Sequence, residues 1–171
     1  METVELIIDK NRSISYNSTG YNSTGCNLTD DKSIKQGVFI DMKKTIPSMD
    51  AWLAEAKKHE SAPKIGMYLT HNGIVRQTAK AKVRYGEEGT KPVTGMVFSY
   101  DQEKVDAIIA ETYKLEGIYY IKVWLNEGQL QVGDDIMYVL IGGDIRPHVV
   151  DALQYLVGRI KNECVIETEL N

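Results

Sequence analysis

Residues 128–161 read GQLQVGDDIMYVLIGGDIRPHVVDALQYLVGRIK, and this stretch contains a turn, an apolar strand and a long helix. Gly133-Asp134 is typical of a tight turn, and IMYVLIGG after it is the most apolar strand candidate in the chain. Apolar residues then recur every three or four positions, which predicts a helix. We expect Asp144 to cap this helix and Pro147 to be tolerated in its first turn, where backbone N–H groups lack helical partners.

The predicted helix has two distinct faces. Its core-facing stripe follows from the helical period and comprises Val149, Ala152, Leu153, Leu156 and Ile160. The other face carries a cation near each end, Arg146 and Lys161. Fifteen residues at a rise of about 1.5 Å place these cations roughly 22 Å apart, so one small ligand would contact both only across a dimer. The alternative is that both are solvated and that Lys161 merely favours the negative end of the helix dipole.

The elements upstream alternate between helices and strands. We expect Ser48 to cap a helix in MDAWLAEAKKHE, Asp101 to cap another in QEKVDAIIAETYKLEG, and Gly117 to end the latter. Strands are predicted in KIGMYLTHNGIVRQ, with a bend or bulge at Asn72-Gly73, and in KAKVRYG, VTGMVFSY, IYYIKVWLN and the tail CVIETELN. This order predicts an α+β domain with antiparallel sheet and flanking helices.

The first part of the chain has a different composition. Residues 16–25 read YNSTGYNSTG, a tandem repeat of small polar residues with little to bury in a core. We therefore expect residues 1–44 to be a disordered extension and residues 45–171 to form the domain, with Met42 as an alternative start. The N-terminus lacks the basic-then-apolar pattern of a secretory signal.

Composition excludes several classes of protein. The 171 residues suit one globular domain, with 43% hydrophobic and 26% charged residues. A formal net charge of -4 gives no positive field that would gather nucleic acid or an anionic membrane, and no apolar run is long enough to span a bilayer. Cys26 and Cys164 lack the CxxC spacing of a redox or metal site. We expect a cytoplasmic protein that binds neither nucleic acid nor membrane.

Common catalytic templates are absent from the sequence. No GxGxxG, P-loop, HExxH or GxSxG motif occurs. His59, His71 and His148 are widely spaced, and we interpret each as a packing or solvent-exposed residue. The sequence accordingly assigns no metal and no cofactor.

Residues 128–161 resemble the catalytic subunit of molybdopterin synthase, in which a Gly-x-Leu-x-x-Gly-Asp turn leads into an apolar strand, an arginine, a helix and a lysine. NGIVRQ is similar to that family's Gly-x-Val-Arg turn, and the similarity covers about residues 64–168. The resemblance implies a hammerhead-like α+β fold and a homodimer within a heterotetramer. It also implies a reaction in which a thiocarboxylated ubiquitin-like small subunit gives its sulfur to cyclic pyranopterin monophosphate, forming molybdopterin.

Carried over by position, the resemblance implies roles for three cations. Lys161 matches a catalytic lysine, Arg76 matches the arginine of the Gly-x-Val-Arg turn, and Arg146 matches a pocket arginine supplied by the neighbouring subunit. Both substrates are anionic, which suits guanidinium forks and an ammonium group.

Two departures from the family pattern accompany these matches. Ile145 stands where the family usually has a histidine, and Thr168 replaces a second catalytic lysine between Glu167 and Glu169. The carboxylates should weaken the capture of an anion unless other cations compensate. Three candidates share one face of the predicted KAKVR strand, and the alternative is that they form only a solvated face: Lys80, Lys82 and Arg84. The departures leave an alternative function, a non-catalytic dimeric module that docks a ubiquitin-like partner.

Overall fold

The computed structural model describes residues 44–171, so the predicted extension lies outside the described residues except for Lys44. The helices are α1 (Met49–Ala56), α2 (Lys80–Tyr85), α3 (Gln102–Thr112) and α4 (Arg146–Arg159), with a 3-10 turn at Ala62–Lys64 and a π-helical turn at Ile160–Cys164. The strands are β1 (Met67–Ile74), β2 (Gly95–Tyr100), β3 (Ile118–Leu125), β4 (Gly128–Gln131), β5 (Asp135–Gly143) and β6 (Val165–Leu170). No helix in this part of the chain is long and apolar enough to cross a bilayer.

The strands form two three-stranded antiparallel sheets, ordered β1-β5-β3 and β4-β2-β6. The apolar strand β5 is the central strand of its sheet, since its Ile141 pairs with Leu69 of β1 and with Ile121 of β3. This position explains its near-continuous burial, because α1 covers one face of the sheet and α4 the other. The predicted α+β class with antiparallel sheet is confirmed.

The main core lies between α3, α4 and the two sheets. Of the stripe predicted on α4, all but the half-buried Leu153 are inaccessible to solvent. The predicted caps of the first and third helices are also confirmed, since Ser48 Oγ accepts from the Ala51 N–H and Asp101 Oδ1 from the Lys104 N–H. These elements follow from local sequence, because a cap and an apolar period are both read within a few turns.

A smaller core lies beneath α1, where Trp52 and Ala56 pack against β3 and β5. Lys122 of β3 is 1% exposed, and its Nζ donates to Glu55 Oε2 of α1 at 2.8 Å. The same ammonium lies 5.1 Å from the centre of the Trp52 ring. The helix is thus attached to the sheet by apolar burial and by one buried charge.

The KAKVR segment corrects the sequence prediction, because it forms helix α2 and not a strand. An alternation over five residues fits little more than one helical turn as well as it fits a strand. The helix receives its N-terminal partner from elsewhere in the chain, since the Lys80 N–H donates to the Glu169 carboxylate. On a helix Lys82 lies on the side opposite Lys80 and Arg84, so the three cations do not share one face.

The start of α4 contains a second correction. Asp144 is not the cap of this helix, because Ile145 occupies that position and makes no side-chain capping bond. The Asp144 carboxylate lies one residue earlier and accepts from the Ile145 N–H at 2.6 Å and from His148 Nδ1 at 2.8 Å. Pro147 falls in the first turn of the helix, as predicted.

Candidate active site

Lys161 lies in the wide π-helical turn that follows α4. Ile160 and Cys164 anchor the two ends of this turn, since both are buried in the main core. The three residues between them are exposed, and the Lys161 ammonium has no carboxylate partner among residues 44–171. Single π-helical turns occur often at functional sites. The turn therefore presents an unneutralised cation to solvent.

His71 lies close enough to Lys161 for the ammonium charge to affect the pKa of its imidazole. Alternation along β1 places Leu69, His71 and Gly73 on the face that packs against α4. The His71 Nε2 atom is buried and has no hydrogen-bond partner within the described part of the chain. Burial lowers the pKa of His71, and the nearby Lys161 ammonium lowers that pKa further. His71 is therefore a neutral imidazole at neutral pH.

The sequence interpretation of His71 as a packing or solvent-exposed residue does not include its proximity to Lys161. The signal that points to it is the strand period, which places His71 on the same face as the core residue Leu69. Its proximity to Lys161 depends on how α4 ends, and no local pattern indicates a π-helical turn there.

Arg76 follows β1 and is exposed, with its Nε donating to the Thr78 carbonyl at 2.9 Å. The residue before it, Val75, is buried and exchanges backbone hydrogen bonds with the turn that precedes β5. Its N–H donates to the Asp134 carbonyl at 2.9 Å, and its carbonyl accepts from the Gly133 N–H at 2.8 Å. The two segments that carry the family resemblance, far apart in sequence, are thus directly bonded to each other.

The position at which the resemblance implies a second catalytic lysine falls on β6. Thr168 lies on the outer face of the sheet, paired with the exposed Val97 of β2. Glu167 and Glu169 lie on the opposite face, towards α2, because successive strand residues alternate. Lys80 Nζ contacts Glu167 Oε1 at 2.5 Å, while the Glu169 carboxylate accepts from the Lys80 N–H. Both carboxylates are thus engaged by the first residue of α2.

The other two candidate cations do not reach these carboxylates. Lys82 pairs with Glu88 at 3.8 Å, and Arg84 is exposed. Of the three cations considered from the sequence, only Lys80 offsets the acidic character of β6.

Arg146 is the first residue of α4 and is exposed. The fourteen residues of α4 span about 21 Å, so Arg146 and Lys161 lie at opposite ends of the helix within one copy of the chain. Beside Arg146, burial alone would raise the pKa of Asp144, but hydrogen bonds from His148 and the Ile145 N–H outweigh it and lower that pKa. Because Arg146 and Lys161 lie at opposite ends of α4, the structure does not bring the three predicted site residues together within one copy.

Metal binding has no candidate here, because residues 44–171 contain no group of three histidine, cysteine, aspartate or glutamate side chains placed to hold an ion. Cys164 is buried in the π-helical turn, and Cys26 lies outside the described residues.

The MoaE protein family model matches residues 46–163 of the chain. No curated protein matches the chain.

Three solved structures have the same fold. Molybdopterin synthase from Staphylococcus aureus is 19% identical with a TM-score of 0.52, over 63% of this chain and 75% of that one. The molybdopterin biosynthesis MoaE protein from Burkholderia ambifaria is 18% identical with a TM-score of 0.55, over 72% and 79%. A complex of subunits 1 and 2 of molybdopterin-converting factor from Helicobacter pylori matches at 16% identity with a TM-score of 0.51, also over 72% and 79%.

Proposed function

The chain belongs to the MoaE protein family, and from that premise we propose that it is the catalytic large subunit of a molybdopterin synthase. Family membership supports a role in molybdopterin biosynthesis. The proposed reaction moves sulfur from a thiocarboxylated ubiquitin-like small subunit to cyclic pyranopterin monophosphate, in the cytoplasm. The Helicobacter pylori structure, a complex of two subunits of molybdopterin-converting factor, supports a small protein partner.

The observation that carries this proposal is the exposed Lys161 ammonium on its π-helical turn, without a carboxylate partner in the described chain. In the transfer the thiocarboxylate sulfur bonds to a carbon of the pyranopterin while a carbon–oxygen bond of that carbon breaks and its oxygen leaves on phosphate or as water. Water then attacks the acyl carbon, the bond between sulfur and the acyl carbon breaks, and the small subunit ends as a carboxylate. Negative charge develops on the acyl oxygen during this exchange. A fixed ammonium beside that oxygen stabilises the charge, and the neutral His71 does not neutralise the lysine.

Arg76 and Arg146 are proposed to bind the phosphate and the pterin, since guanidinium forks suit phosphate oxygens. Arg76 extends from the segment bonded to the turn before β5. Because α4 separates Arg146 from Lys161, the proposal places Arg146 in the site of a second copy of the chain, as part of a homodimer within a heterotetramer.

A second candidate function is a non-catalytic dimeric module that docks the ubiquitin-like partner. It is favoured by Thr168, which faces solvent on the outer side of the sheet where the family has a second catalytic lysine. The carboxylates beside it are already engaged by Lys80, so they do not supply a replacement base to that outer face.

The test is to mix the purified chain with a thiocarboxylated small subunit and cyclic pyranopterin monophosphate, and to measure molybdopterin. We expect product from the wild type, a large loss in Lys161→Met, and full activity in Lys64→Met, a matched control that removes a lysine lying over the Tyr119 ring. Binding of the small subunit without any product would favour the docking module. Full activity of Lys161→Met would contradict the assigned role.

A further inference from the structure

Arg159, the last residue of α4, is the centre of a side-chain network around the π-helical turn. Its Nε and Nη2 hold both oxygens of Glu163, the second bond measuring 2.9 Å. Its Nη1 donates to Glu111 Oε2 of α3 at 2.9 Å and lies 2.7 Å from the Tyr155 hydroxyl, which in turn donates to Glu111 at 3.1 Å. We call these four residues the Arg159 clasp.

The clasp encloses the turn that carries Lys161. Arg159 lies two residues before the lysine and Glu163 two residues after it, so the two-pronged bond closes directly across the exposed part of the turn. The bond to Glu111 ties the same guanidinium to a neighbouring helix. A planar fork that holds one carboxylate with two bonds fixes direction as well as distance.

A π-helical turn needs such a restraint because it contains one residue more than an α-helical turn of the same rise. If it relaxed into an α-helical turn, the direction of the residues after Ile160 would change progressively, by about 100° in total at the end of the turn. The backbone that carries Lys161 would then shift relative to His71 of β1. Exposed ion pairs contribute little to stability, so the geometry of the turn is the larger consequence of this network.

We propose that Arg159 is a positioning residue that, through Glu163 and Glu111, holds the π-helical turn and keeps the Lys161 ammonium beside His71. The catalytic consequence rests on the function proposed above, whereas the structural consequence is measurable without any substrate.

The structural test uses His71 as a reporter of where Lys161 lies. The pKa of the His71 imidazole is measured by NMR in the wild type, in Lys161→Met, Arg159→Met and Glu163→Gln, and in Lys64→Met as the control. Lys161→Met should raise the pKa of His71, because a neighbouring cation that lowers it is removed. The control should leave that pKa where it is.

Arg159→Met and Glu163→Gln separate positioning from direct electrostatics. Removing a positive charge directly would raise the pKa of His71, and removing a negative charge directly would lower it. Displacement of Lys161 would raise it in both variants, by at least half of the rise seen in Lys161→Met. An unchanged pKa in both variants, or shifts of opposite sign, would overturn the proposal. In the Lys161→Met background neither change should shift the pKa further.

The catalytic test measures kcat and KM for molybdopterin formation. Arg159→Met should lower kcat by about 10- to 100-fold with little change in KM, because a misplaced reacting group lowers the rate without changing distant binding contacts. Arg159→Lys, which keeps the charge and loses the fork, should recover only part of kcat. If the wild type formed no product, the proposed function would fail while the NMR result would still decide the role of Arg159.

Discussion

The two ends of α4 differ in how firmly each holds its cation. At the C-terminal end the Arg159 clasp and the buried Ile160 fix the turn that presents Lys161. At the N-terminal end Arg146 is exposed and has no ion pair within residues 44–171. A group that stabilises charge in a transition state must be held in place beforehand, whereas a group that binds substrate can settle on it. This difference supports the proposal that the C-terminal end acts in catalysis and the N-terminal end in binding.

The largest effect should come from the C-terminal end of α4, which carries Lys161. Lys161→Met should lower kcat for molybdopterin formation by about 10²- to 10³-fold, the typical loss when one preorganised electrostatic group is removed. Steady-state kinetics at saturating substrates measure it. An equal loss in Lys64→Met would show that general charge, and not this lysine, is responsible.

A change at the N-terminal end of α4 should affect substrate binding and not the chemical step. Arg146→Ala should raise KM for the cyclic pyranopterin by about 10- to 100-fold, since a hydrogen bond between charged groups contributes about 1.5–3 kcal/mol. The KM of Arg146→Lys should lie between those of the wild type and Arg146→Ala, because lysine keeps the charge without the guanidinium fork. A fall in kcat at unchanged KM would contradict the assignment of binding to this end.

A glycine near each end of α4 tests the packing of the two regions. Gly117 has a φ of +74°, and an added Cβ would lie 2.2 Å from Asp144 Oδ1 and 2.4 Å from His148 Nδ1. Gly117→Ala should therefore destabilise the protein by about 2 to 3 kcal/mol. Gly158 lies within α4 with no atom within 4 Å of its added Cβ, so Gly158→Ala should stabilise it by about 0.5–1 kcal/mol. Urea unfolding measures both, and effects of the same sign would contradict the difference.

The smallest expected effect is the pH dependence of the clasp. Hydrogen bonds from Arg159 lower the pKa of Glu163, and bonds from Arg159 and Tyr155 lower that of Glu111. A carboxyl with a lowered pKa in the folded state stabilises the fold above its ordinary pKa of about 4.3, and this contribution is lost as the pH falls through the lowered value. The unfolding curves of wild type and Arg159→Met should thus differ at pH 7 and converge in acid. If the difference in the free energy of unfolding between the two proteins stayed constant in acid, the ionised carboxyl groups would not be its cause.

The sequence predicts what local pattern controls. The caps at Ser48 and Asp101 and the buried stripe of α4 are read within a few neighbouring residues, and the structure confirms them. The strand predicted for KAKVR is wrong because the N-terminus of helix α2 is satisfied by Glu169 of β6, which is brought there only by the fold. The predicted cap at Asp144 is wrong by one residue, because helix α4 begins after Ile145.

The site is predictable only in part for the same reason. The distance between Arg146 and Lys161 follows from helical rise, so the proposal of a site shared between two copies can be made from the sequence. The place of His71 beside Lys161 depends on a strand and a helix end that meet in the folded chain. The clasp that fixes the turn joins α3 to α4 across 48 residues, beyond any local pattern.

Mixed dimers decide whether the two ends of α4 meet in one site built from two copies of the chain. Lys161→Met and Arg146→Ala chains are unfolded together, refolded in equal amounts and assayed for molybdopterin at a substrate concentration where each variant alone is nearly inactive. Random pairing in a two-fold dimer should leave one intact site in each mixed dimer and recover about a quarter of wild-type activity. Activity no higher than the mean of the two separate variants would contradict a site shared between copies.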